Sequence, residues 1–253
     1  MKTKLRWFLA AWVLLFVGVS AAGADDWSGA YAGLYSGFGA SNANVSTFAD
    51  YTSTGYFNST STQSINASSN LNTNAAALLA GLGAGYNFQF GNVVVGFDGS
   101  LGSLPIHQSA HDQNVYPCCS PAYYRDQQTV ESDWVLSLSP RLGYSFGKLL
   151  VMGSVGLAFT DTRYEQIFTE TDANGHESKT MSLDGPSLTG GADVEWGLTA
   201  HWILRADYQY LDIGRISSSS NNLFAGSAYP SSTFRDHFSV VDQIGRLGLD
   251  YRF

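Results

Sequence analysis

The sequence predicts an all-β chain, an eight-stranded antiparallel up-and-down transmembrane β-barrel. Three observations predict it: composition, a period-two alternation of apolar residues, and a regular alternation of short and long connections. Among 253 residues there are 27 Gly, 6 Trp, 14 Tyr and 15 Phe, yet only 13% are charged. A soluble globular domain carries about 25% charged residues, so the exterior is not an ordinary solvated surface. The mean hydropathy of −0.06 is too low for a helical membrane bundle, which needs several apolar runs of about 20 residues. A hydrophobic content of 44% excludes disorder.

The first 24 residues read as an address rather than as part of the fold. Lys2, Lys4 and Arg6 form a positive start, Trp7 to Val19 an apolar stretch, and Ala22-Gly23-Ala24 a small-residue cleavage site. That is the layout of a secretory signal peptide, with residues 25–253 as the barrel domain. Removing the leader takes the net charge from −8 to −11. With no basic stripe, no nucleic-acid partner is expected. No Cys follows the leader, which argues against a lipoprotein anchor.

The strands follow in order. The first, around Ser28 to Gly39, is weakly patterned. From Ala80 to Phe88 every second residue is apolar (Ala80, Leu82, Ala84, Tyr86, Phe88) against Gly81, Gly83, Gly85 and Asn87. That is the template of a strand with two unlike faces. Val93 to Leu101 alternates less cleanly. Trp134, Leu136, Leu138, Pro140, Leu142, Tyr144 and Phe146 repeat the pattern against Val135, Ser137, Ser139, Arg141, Gly143 and Ser145. Leu149 to Phe159, Leu188 to Leu198 and Trp202 to Tyr210 follow. The last strand ends in Leu247, Leu249, Tyr251 and Phe253.

Short turns fall at Phe90-Gly91-Asn92, Gly147-Lys148 and Thr199-Ala200-His201, and long polar segments at 41–74, 103–130, 161–183 and 213–236. Every long segment therefore lies at one end of the sheet. Bacterial outer-membrane barrels have this plan, with short periplasmic turns and long extracellular loops. Closure is required, because a lipid-exposed sheet edge leaves backbone groups unpaired. A soluble lipocalin-type barrel is the rival. Against it, the polar face is mostly Gly and Ser, too small and too weakly charged to solvate an exterior but suited to a narrow lumen. Trp27, Trp134, Tyr144, Phe146, Trp196, Trp202, Tyr208, Tyr210, Tyr251 and Phe253 cluster near strand ends, as interfacial girdles require.

Three stretches carry a resemblance. Asp26-Trp27-Ser28-Gly29-Ala30-Tyr31-Ala32-Gly33 resembles the W-x-G-x-Y-x-G opening of the small porin-like outer-membrane β-barrel proteins of alphaproteobacteria. Gly190 to Trp196 with Trp202 to Asp212 is similar to that family's penultimate hairpin, and Gly248 to Phe253 to its closing strand. The resemblance implies residence in the cell outer membrane, where members are major surface proteins with structural and host-interaction roles. It implies no catalytic residues, and no cofactor motif is present.

If the apolar positions face lipid, the lumen receives Asp98, Arg141, Asp193, Glu195, Arg205, Asp207, Asp242, Arg246, Asp250 and Arg252. So many charges in a narrow interior are costly unless they pair. Two readings follow: a plug of ion pairs, or a narrow diffusion pore. A lipid-modifying outer-membrane enzyme is a third. Its histidines would be His107, His111, His176, His201 and His237, none of which sits beside a serine at a readable spacing. His107 and His111 supply only two ligands, short of a closed zinc site.

The remaining expectations concern the surface and assembly. The Ser/Asn/Thr-rich loops read as mobile, solvated chain, with outer-membrane lipid and lipopolysaccharide as partners and host or surface ligands met through the loops. Cys118-Cys119, with Cα atoms about 3.8 Å apart across a trans bond, reads as a vicinal disulfide, a reduced pair or an intermolecular link. Leu247, Leu249, Tyr251 and Phe253 resemble the terminal signal read by the barrel-assembly machinery. Deleting Phe253 is expected to slow insertion, measured as outer-membrane levels after induction, while leaving the finished barrel's stability little changed.

Overall fold

A computed structural model describes residues 26–224 and 229–253; the leader expected at 1–24 lies outside the described residues. The described chain is one antiparallel sheet with strands β1 (Gly29–Ala49), β2 (Asn70–Phe90), β3 (Val93–Val115), β4 (Tyr123–Phe146), β5 (Leu149–Thr160), β6 (Thr162–Glu170), β7 (His176–Leu183), β8 (Ser187–Gly197), β9 (Trp202–Ser220) and β10 (Phe234–Arg252), and a helix α1 (Ser59–Ser68). The order β3-β2-β1-β10-β9-β8-β5-β4 closes on itself through the β3–β4 ladder. Eight strands thus ring the membrane section, and β10 meets β1 from Tyr31↔Arg252 to Ala49↔Phe234.

The apolar positions face outward. Leu34, Phe38, Leu82, Phe88, Phe97, Leu142, Phe146, Leu188, Trp196, Leu204 and Leu247 are all exposed. Only lipid reconciles such a band with a stable chain. A membrane-crossing strand needs about 9–11 residues, whereas β1, β2, β3 and β4 run to 21, 21, 23 and 24. About half of each therefore projects beyond the bilayer. This corrects the reading of 41–74, 103–130, 161–183 and 213–236 as mobile loops: most of those residues are strand, and 59–68 is helix.

The two extra strands have a specific origin. β5 and β6 pair in succession with the same β4, Leu136↔Phe159 giving way to Glu131↔Arg163. The break falls at Asp161, whose carboxylate accepts the Asp133 and Trp134 amides at 2.9 and 3.3 Å. The β6–β7 hairpin therefore continues the β5–β8 hairpin outward.

Polarity inverts along each long strand. On β1 the outward residues are Leu34 and Phe38 in the membrane half, then Asn42 and Asn44; the inward ones are Gly33 and Gly37, then Ala43 and Val45. Beyond the bilayer water replaces lipid, so apolar residues must turn inside. There the ladders part at two seams, because β2 pairs with β3 only from Gly81 to Phe90 and β7 pairs with β6 alone. Two four-stranded sheets, β3-β4-β6-β7 and β2-β1-β10-β9, then face each other as a sandwich. Ala43, Val45, Leu104, Ile106, Val130, Tyr164, Met181, Ile213, Phe238 and Val240 form its core.

An aromatic cap closes the outer end. Phe57, Tyr116, Tyr124, Phe168, Leu223 and Phe234 pack around Ile65 of α1. The helix is capped by Asn58, whose Oδ1 accepts the Ser61 amide at 2.8 Å, and Asn66 Oδ1 accepts the Ala49 amide at 2.8 Å. Cys118 and Cys119 are joined as a vicinal disulfide, and Cys119 packs against the cap.

Candidate functional site

The strand alternation that sends apolar residues to lipid aims all ten predicted charges at the interior, and eight of them meet at one level. Arg205 Nη1 lies 3.0 Å from Asp98, and its Nη2 lies 3.2 Å from Glu195 and 2.8 Å from Asp250. Arg141 Nη1 lies 2.6 Å from Glu195 and 3.5 Å from Asp193. Arg246 Nε donates to Asp207 at 2.7 Å. Two of the ten do not join. Asp242 sits one level higher, between inward Ile244 and Val240, opposite Ser41 and away from any arginine. Arg252 points to the periplasmic end, where it donates to the carbonyls of Ala200, at 2.6 Å, and of Asp26.

Sequence reasoning did not identify the neutral partners. The Tyr31 ring stacks with both Arg141 and Arg205, each 4.8 Å from its centroid, and its hydroxyl donates to Asp98 at 2.6 Å. Tyr35 stacks with Arg246 at 4.6 Å. Asn87 Oδ1 accepts from Arg141 Nε and Nη2 at 3.2 and 3.0 Å. The signal was present on β1 as inward Tyr31-x-Gly33-x-Tyr35-x-Gly37. Opposite the tyrosines stand Gly85 and Gly81, where any Cβ would collide with the Tyr31 and Tyr35 hydroxyls. The rings lie over these glycines and fill their missing side chains.

The interior is layered. At the periplasmic end Trp27, Val94, Leu150, Met152 and Ile203 cluster, and Trp27 Nε1 donates across the barrel to the Gly147 carbonyl at 2.9 Å. The ion cluster comes next, with a residual cavity of about 30 Å³ beside Ser137, Ser139 and Ser154. The apolar sandwich core stands above it. Beyond that lies a buried polar layer, where Asp126 accepts from Gln128 and Gln166, each at 2.8 Å, and Asp236 accepts from Thr47 at 2.7 Å. The aromatic cap completes the stack.

Asp126 lies outside the membrane section and has no cationic partner among the described residues. Burial pushes its carboxyl up to about 6, against the opposing hydrogen bonds from Gln166 and Gln128, with Asp236 adding repulsion. An unfolded Asp titrates near 3.9. The native state therefore holds this proton more tightly, and the stabilisation, complete below about pH 4, is lost as pH rises through about 6. The outer sandwich is expected to resist urea better at pH 5 than at pH 7.5, by about 1.4 kcal/mol from this group. Near-ultraviolet circular dichroism checks it; in Asp126→Asn the pH dependence flattens.

The histidines depart from expectation. His107, His111 and His237 lie within strands, His176 opens one, and the sheet brings Ser217 Oγ to 2.7 Å from His237 Nδ1. The pairing crosses from β9 to β10, which no spacing along the chain reveals. Among the described residues no carboxylate is hydrogen-bonded to the other His237 nitrogen, so the pair lacks the orienting acid of a nucleophilic triad.

The terminal residues Leu247, Leu249, Tyr251 and Phe253 all face outward. The family model described as "Outer membrane protein beta-barrel domain" matches residues 9–253. The 31 kDa outer-membrane immunogenic protein of Brucella melitensis is 26% identical over 187 residues, 74% of this chain and 70% of that protein. Its Brucella suis counterpart matches equally. Among solved structures, the outer membrane protein OprG from Pseudomonas aeruginosa aligns over 89% of this chain and 96% of its own, at 11% identity and a TM-score of 0.46.

Proposed function

Because the chain belongs to the outer-membrane protein β-barrel family and resides in the outer membrane, we propose that it is a sealed structural barrel that holds a folded sandwich at the cell surface, neither conducting nor catalysing. The packing of side chains into successive levels of the lumen supports this reading. An eight-stranded barrel has an interior just wide enough for side chains. Here arginines and carboxylates fill one level, and Trp27 with its neighbours fills the level below. The cavity of about 30 Å³ in the ion cluster has room for about one water, short of the continuous column a pore requires. The naming of the Brucella relatives as immunogenic supports the surface half of the reading.

Planar-bilayer recording of the purified, folded protein tests it. The expected result is no steady conductance. Channels of uniform size whose conductance scales with salt would replace the sealed barrel with the diffusion pore.

A further inference from the structure

We propose that the outward face of β1, β9 and β10, just above the aromatic girdle, is a docking site for the phosphoryl headgroup of an outer-leaflet lipid. The inference rests on the membrane orientation, not on whether the lumen conducts.

A bulge builds the site. Between Val240 and Val241 the β9–β10 register shifts, with Gly214 opposite Val240 and Asp212 opposite Val241. Ile213 is the extra residue, and Gly214 adopts φ 119°, a conformation that favours glycine. Bulges re-aim side chains. Below this one the even-numbered residues of β9 face outward (Leu204, Tyr208, Tyr210); above it the odd-numbered ones do (Arg215, Ser217, Ser219). Without the bulge Arg215 would point into the apolar core.

Arg215, Ser217, His237, Ser239, Asn44 and Ser46 line an open groove of about 270 Å³. Arg215 makes no ion pair with any described residue, whereas Arg235 above it is held by Asp50 at 2.7 Å. His237 is fixed by Ser217 at 2.7 Å. A planar guanidinium beside hydroxyls and an amide is the donor set that recognises phosphoryl oxygens. Asp212, the nearest outward carboxylate on the strand, lies below the bulge opposite Val241.

Height and charge argue for a lipid. Tyr210 of the girdle pairs with Gln243, and Arg215 pairs with Ser239. The four residue steps from Gln243 to Ser239 on β10 span about 13 Å, or about 10 Å in height at a tilt of about 40°. The headgroup layer extends about 5–8 Å beyond the hydrocarbon, and an arginine side chain reaches back over that gap. The groove is thus continuous with the lipid-facing band. Across the ring, at the same level, β4 and β6 present Glu131, Asp133 and Glu165 around Arg163, with His107 of β3 lying 3.9 Å from Glu131 and 3.6 Å from Asp133. Phosphoryl groups are repelled there and drawn to the Arg215 side.

Native mass spectrometry of the full folded protein in detergent tests this. The probes are lipid A carrying its phosphates, the same lipid A dephosphorylated, and inorganic phosphate. Folding of each variant is verified by heat-dependent migration in a gel. The expected result is about tenfold preferential retention of phosphorylated lipid A. Arg215→Ala abolishes that preference, Arg215→Lys keeps part of it, and Arg163→Ala keeps all of it. Equal retention of dephosphorylated lipid A overturns the proposal, as does an undiminished preference in Arg215→Ala. Displacement of the lipid by inorganic phosphate at equal concentration makes the groove a free-anion site and overturns it too.

Discussion

Arg205→Ala is expected to be among the most damaging single substitutions in the membrane section, lowering stability by about 3–5 kcal/mol, the range for breaking a buried pair from one side. Arg205 is the hub of the ion cluster, touching Asp98, Glu195 and Asp250 within 3.2 Å. Its loss leaves Asp98 and Asp250 without a direct ion-pair partner among the described residues. Arg141 still serves Glu195, and the Tyr31 ring loses one of its two stacked cations. Lysine supplies charge but no planar fork, so Arg205→Lys is expected to recover only part of the loss. Heat-dependent gel migration and urea unfolding in detergent report the change. An Arg205→Ala variant as heat-resistant as its parent would show that the cluster contributes no stability.

Phe168→Ala is expected to cost a similar about 3–5 kcal/mol, the range for truncating a buried aromatic, but at the other end of the molecule. Phe168 is fully buried in the cap, with ring centroids 5.0 Å from Phe234, 5.7 Å from Tyr124 and 5.9 Å from Phe57. The ion cluster is separated from it by the sandwich core and the buried polar layer. External protease is therefore expected to cut the outer strands of the variant on intact cells while the membrane ring keeps its heat-resistant migration. Protection equal to the parent's would mean that the cap is dispensable for holding the outer half.

The membrane ring was legible because lipid imposes one rule on every strand, and the same rule turns all ten predicted charges inward. The outer half was misread because composition was weighed above phase. On β10 the apolar residues run Leu247, Leu249, Tyr251 below and Phe234, Phe238, Val240, Ile244 above, a switch from odd to even interrupted by Val241 at the bulge. The period-two signal never stops; it changes sides where the solvent changes. Helix α1 left no such trace, since Ser59–Ser68 has one large apolar residue, Ile65, and owes its place to the cap. The escape of Asp242 and Arg252 from the ion cluster depended on height along the lumen, which alternation does not encode.

The inversion of polarity has a consequence for how this surface can change in sequence. In the outer sandwich the inward residues of every strand hold the core. Outward neighbours such as His107, Ser109, His111, Gln113 and Glu131 alternate with them and lie outside both the sandwich core and the cap. The external medium meets one set of residues while folding depends on the other. Sequence change is thus tolerated in a two-residue rhythm, and outward substitutions can accumulate there without passing through an unfolded intermediate sequence.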